Sequence, residues 1–79
     1  MSKPNRIKFD WAGFGKRVLE HRVSLELNLR ECSALLGIDH STIYRIEQGS
    51  PCTTVHYLFL CEWMNIDPYL FTKEHPRKN

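Results

Sequence analysis

No stretch of this sequence comes near the roughly 18 to 20 consecutive apolar residues that a bilayer span requires. The first six residues lead into charged sequence, where an export signal would have an apolar core. A soluble, cytoplasmic protein with no membrane partner is therefore expected. Cysteine is scarce: Cys32, Cys52 and Cys61 are an odd number with no Cys-x-x-Cys spacing, which speaks against a disulfide framework and a zinc-finger layout and leaves reduced thiols. Cys52, His56 and Cys61 are spaced four and five apart, but a structural zinc site takes four ligands, and Cys61 reads more simply as a small hydrophobe. No metal site and no cofactor is expected. Also missing are a nucleophile elbow, a phosphate loop and paired carboxylates at a recognisable spacing, so the chain is not read as an enzyme and no catalytic residue is assigned.

What is present fits one small core, since 79 residues leave no room for a second. The net charge is only +2, too little to mark a nucleic-acid binder, but it is unevenly spread. Residues 1–30 carry seven basic side chains against three acidic ones, residues 31–71 carry Arg45 against five acidic ones, and the tail adds Lys73, Arg77 and Lys78 against Glu74. An anionic partner would meet the ends first. Residues 1–9 read as a basic arm, 10–71 as the folded domain and 72–79 as a polar tail.

Apolar and polar residues nowhere alternate long enough for a half-buried strand, whereas several segments place apolar side chains three and four apart. The fold class is all-α, with five helices. The first, over residues 10–24, has Asp10 as its cap and Phe14, Val18, His21 and Leu25 along one side. The second opens on a capping box, Asn28 with Glu31, has Leu27 stapled to Cys32, carries Leu29, Cys32, Ser33 and Leu36 inward, and stops at Gly37. The third takes Asp39 as cap and an Ile38–Ile43 staple, and ends at Gly49. With Ile43 and Ile46 facing inward, His40, Ser41, Tyr44, Arg45 and Gln48 point outward. The fourth, residues 54–64, is apolar almost all round and so is either wholly buried or shared with a partner. A short fifth helix starts at Asp67-Pro68, and Tyr69, Leu70 and Phe71 close the core.

Two short helices joined through Gly37-Ile38-Asp39 make a helix-turn-helix signature. The run from Phe14-Gly15-Lys16-Arg17-Val18 through Gly37-Ile38-Asp39-His40-Ser41-Thr42-Ile43-Tyr44-Arg45-Ile46-Glu47-Gln48-Gly49 resembles, without a gap, the phage repressor and Cro family, the xenobiotic-response-element type of helix-turn-helix DNA-binding protein. The segment Leu60-Cys61-Glu62-Trp63-Met64-Asn65-Ile66-Asp67-Pro68 is similar to that family's closing segment, so the likeness spans about residues 11–71.

The resemblance implies a lambda-repressor-like domain and a set of roles. Arg22 and Glu47 stand where the family joins its first and third helices by an ion pair. His40, Ser41, Tyr44 and Arg45 match the positions that read bases in the major groove, and Arg45 suits a bidentate contact to guanine. Asn28, Arg30, Thr42, Ser50, Thr53, Lys16 and Arg17 are the expected phosphate contacts. Leu29 replaces the glutamine with which the family often steadies the reading helix, and His21 stands at a usually apolar position. The implied function is transcription regulation by a Cro-like repressor of phage or mobile-element type. It would bind a palindromic DNA operator as a homodimer, with Trp63, Tyr69, Leu70 and Phe71 at the dimer interface. The alternative is an antitoxin or adaptor, a protein-binding module whose apolar fourth helix holds a protein partner.

Overall fold

The computed structural model describes residues 9–72. The expected basic arm and polar tail therefore lie outside the described residues, apart from Phe9 and Thr72. Among the described residues four α-helices follow one another, α1 (Trp11–Ser24), α2 (Leu29–Leu36), α3 (His40–Glu47) and α4 (Thr54–Met64), and then a 3-10 turn, Pro68–Phe71. None of these helices is long and apolar enough to cross a membrane.

Each helix starts where a side chain satisfies an otherwise unpaired amide of its first turn. Asp10 accepts from the Gly13 N–H at 3.0 Å, Asp39 from Ser41 at 3.0 Å and Thr53 from His56 at 3.1 Å. At α2 the box is reciprocal: Asn28 Oδ1 accepts from the Glu31 N–H at 2.7 Å and Glu31 Oε1 from the Asn28 N–H at 2.9 Å. Gly37 ends α2 at φ 73°, a left-handed conformation that costs glycine little.

The core is built on Phe14, whose ring lies 4.7 Å from Tyr57 and 5.3 Å from Phe71, centroid to centroid. Val18, Cys32, Leu36, Ile38, Ile43, Ile46, Leu60, Cys61 and Met64 complete it. The Tyr57 hydroxyl donates to the Pro68 carbonyl, and burial pushes its pKa up. The Asp10 N–H donates to the Phe71 carbonyl at 2.7 Å beside an isolated antiparallel bridge between Phe9 and Thr72, which joins the two ends of the described residues.

Three expectations are corrected. The fifth helix is not an α-helix: Asp67 caps it and Pro68 starts it, but Thr72 turns extended (φ −80°, ψ 135°) to pair with Phe9, so four residues close on i to i+3 bonds. Within that turn only Phe71 enters the core, while Tyr69 and Leu70 are exposed. Leu25 does not extend the inner stripe of α1; it is the residue after the helix, half exposed, and Glu26 beyond it takes φ 61° and swings the chain away. Of the two readings of helix α4, wholly buried or shared with a partner, the first does not hold in the single chain. Tyr57, Leu60, Cys61 and Met64 pack inward, and Val55, Leu58 and Phe59 face out.

Candidate nucleic-acid interface

Helix α3 carries eight residues, too few to stand alone, so its position is set by what grips it. Ile43 and Ile46 root it in the core, and Ile38, 4% exposed, packs beneath its entry. At its far end the Arg22 guanidinium holds Glu47 in a fork, Nε to Oε2 at 2.7 Å and Nη2 to Oε1 at 3.1 Å, while Nη1 donates to the Leu27 carbonyl at 2.8 Å. One cation thus ties α1, the turn before α2 and α3 together, and the hydrogen bond to Glu47 raises the pKa of Arg22 above its ordinary value. At that same end α3 lies on bare backbone of α1: a Cβ on Gly15 would sit 2.2 Å from the Ile46 carbonyl oxygen.

This grip leaves one face of α3 turned outward. Ser41, Tyr44, Arg45 and Gln48 are exposed on it, and His40 is half-buried at its start. The Ser41 amide hydrogen bond holds the Asp39 carboxyl below the usual carboxylate range, so the cap is charged near neutral pH. Ser50 donates its N–H to the Arg45 carbonyl at 3.0 Å after Gly49 (φ 101°), which folds the loop back under the helix.

The expected phosphate contacts fall into separate places. Thr42 and Thr53 line an open groove of about 440 Å³ between α3 and the start of α4, together with Arg45, which is expected to read bases, and with Ile46, Pro51, Cys52 and His56. Ser50 is half-buried in the loop beside that groove. Asn28 and exposed Arg30 lie at the start of α2, where the capping box occupies the amides of Asn28 and Glu31 and leaves those of Leu29 and Arg30 without an intrahelical partner. Lys16 is exposed on α1 next to Gly15. Arg17 is about 200° around α1 from Gly15 and is not brought to the α3 face; it lines a depression with Glu20, His21 and Met64.

The residues expected at a dimer surface also separate. Tyr69 and Leu70 are exposed, Trp63 is half-buried with the His21 ring edge-on at 4.5 Å, and Phe71 is buried against Phe14. Phe71 is thus a core residue of the single chain. Among the described residues no group of three His, Cys, Asp or Glu side chains is placed to hold a metal ion. Burial pushes the Cys52 thiol up to about 11, so it is neutral near pH 7. His56, weighed from the sequence beside Cys52 and Cys61 as a metal ligand, lines the groove next to α3. Its signal was its register: it is the third residue of α4, one turn past the Thr53 cap, just after the loop that leaves α3.

An all-α domain in which two short helices meet at a glycine turn, the second rooted by two isoleucines and locked to the first helix of the chain, is a helix-turn-helix protein. No family model and no curated protein matches the sequence. The high-resolution crystal structure of the restriction-modification controller protein C.AhdI from Aeromonas hydrophila does match, with a TM-score of 0.62 and 30% identity, over 75% of this chain and 91% of that one. This chain and C.AhdI belong to one helix-turn-helix family.

Proposed function

We propose that the chain is a sequence-specific DNA-binding transcription regulator, a Cro-like repressor that binds a near-palindromic operator as a homodimer. The observation that carries the reading is the grip on α3: every apolar side chain of that helix is buried, its register is locked through Arg22 and Glu47, and only hydrogen-bonding side chains and Tyr44 remain outside. A helix so held can enter the major groove as a rigid body. Arg45 makes the bidentate guanine contact; Ser41 and His40 reach base edges from the first turn; Tyr44 offers its hydroxyl or packs on a thymine methyl. Arg30, Asn28, Thr42, Ser50, Thr53 and Lys16 hold phosphates and set the register on the duplex. The name of C.AhdI, a controller, supports regulation as the outcome.

Selection from a randomised duplex pool at about 150 mM salt, where phosphate attraction alone is weak, tests this. The expected result is an inverted repeat that relaxes at one base pair per half-site with Arg45→Ala, at a cost of about 1 to 3 kcal/mol. A folded protein that enriches no sequence overturns it. The exposed Val55, Leu58 and Phe59 favour a second reading, an adaptor or antitoxin that holds a protein on α4. In that case Arg45→Ala is silent and Leu58→Glu abolishes the function.

A further inference from the structure

On the outer face of α3 one side chain offers more than a hydrogen bond. Ser41, Arg45 and Gln48 are polar, whereas Tyr44 leaves an aromatic ring 51% exposed. Along that face its neighbours are Ser41, three residues before, and Gln48, four residues after, and neither is an apolar cover for the ring. Among the described residues no hydrogen bond and no ring contact takes up the Tyr44 side chain. Arg45 lines the groove toward α4, while Tyr44, about 100° away round the helix, stands off it. Side chains that diverge in this way from consecutive residues suit neighbouring base pairs. A phenol hydroxyl both donates and accepts, so by itself it pairs with most groove-edge groups and discriminates little. The ring face does discriminate, because the apolar knob that a base presents in the major groove is the methyl on C5 of a pyrimidine. Thymine carries that methyl, and 5-methylcytosine carries it at the same ring position.

We infer that Tyr44 makes the protein responsive to cytosine methylation: its ring covers the C5 methyl of the pyrimidine next to the guanine held by Arg45, so that 5-methylcytosine is accepted there in place of thymine and unmodified cytosine is disfavoured. This rests on the DNA-binding reading and adds to it a covalent mark on the duplex that the site distinguishes. Thymine and 5-methylcytosine differ beside the methyl, one presenting an oxygen acceptor and the other an amino donor. The Tyr44 hydroxyl, donor and acceptor alike, meets either, so the methyl is what decides.

The test is fluorescence anisotropy at about 150 mM salt on the selected operator. The guanine whose preference relaxes in Arg45→Ala marks the position, and the pyrimidine beside it is supplied as thymine, uracil, cytosine or 5-methylcytosine, each with its matching purine. Thymine against uracil and 5-methylcytosine against cytosine each differ by the methyl alone. Wild type is expected to favour the methylated member of both pairs by about fourfold for each substituted half-site, the worth of burying one methyl group. Tyr44→Phe is expected to keep both ratios, and Tyr44→Ser to bring both to one with the preference for guanine intact. Tyr44 is exposed, so neither replacement opens the core, and thermal melts of both variants report on folding. Equal binding of both members by wild type overturns the inference, as does a preference that survives Tyr44→Ser or one that is lost in Tyr44→Phe, which would assign it to the hydroxyl. A thymine preference without a 5-methylcytosine preference overturns it as well, because the mark is then not accepted. In each of these cases an operator has been selected and the DNA-binding reading stands; a folded wild type that enriches no sequence overturns both.

Discussion

Glu47 is, among the described residues, the charged side chain that the fold buries, 8% exposed as a residue. Taking a carboxylate out of water costs several kcal/mol, and the fork from Arg22 with its third bond to Leu27 is what offsets that cost. Because both charges depend on each other, Arg22→Ala should destabilise the domain by about 3 to 5 kcal/mol in urea titration, most of it the penalty of an unpaired Glu47. The double variant Arg22→Met with Glu47→Leu should recover much of that loss, since it removes both buried charges and keeps the volume. If the double variant is as unstable as the single one, the pair contributes through packing and not through charge. The two residues are 25 positions apart, and no local period announces such a contact. The family resemblance named the pair; the structure adds the third partner, the Leu27 carbonyl, which no side-chain pattern encodes.

Elements were legible in the sequence where their signals are local. Asp10, Asn28 with Glu31, Asp39 and Asp67 all cap as expected, because a cap is a contact between residues two or three apart. The crossing of α1 over α3 was not legible. It is a contact between backbones, and its mark is only the absence of a Cβ at Gly15. The 3-10 turn and the escape of Leu25 were hidden for a related reason: each follows from backbone geometry that no side-chain pattern marks, the pairing of Thr72 with Phe9 and the positive φ at Glu26. Gly15→Ala forces its new methyl against the Ile46 carbonyl oxygen, and a backbone atom in a packed helix cannot swing aside as a side chain would. The two helices must then separate, with an expected loss of about 1 to 3 kcal/mol in stability. Since that separation changes how α3 is set against α1, operator affinity should fall further than the fraction unfolded accounts for. Gly15→Ala with native stability would show that the two helices slide past one another at little cost.

At the scale of the molecule, apolar surface is left over along α4 and the turn that follows it. Val55, Leu58 and Phe59 on α4 are exposed, and Leu58 and Tyr69 line one depression of about 370 Å³ with Phe9 and Pro68. Leu70 adds a further half-exposed side chain. A domain this small reads few base pairs, so useful specificity calls for two copies set about 34 to 36 Å apart on the duplex. The proposed homodimer would cover this surface, and the placement of Phe71 sharpens how it must be probed. Phe71 is 7% exposed and packs on Phe14, so its truncation to Ala costs about 3 to 5 kcal/mol, a large share of the roughly 5 to 15 kcal/mol that holds a small domain together. A polar substitution there would abolish dimer and monomer alike. Tyr69→Lys with Leu70→Glu touches only exposed positions. In sedimentation that double variant should run as a folded monomer at concentrations where wild type is a dimer, and on DNA it should occupy isolated half-sites without cooperativity. A double variant that remains dimeric would move the interface to Val55, Leu58 and Phe59, and a wild type that is monomeric even on its operator would end the dimer proposal.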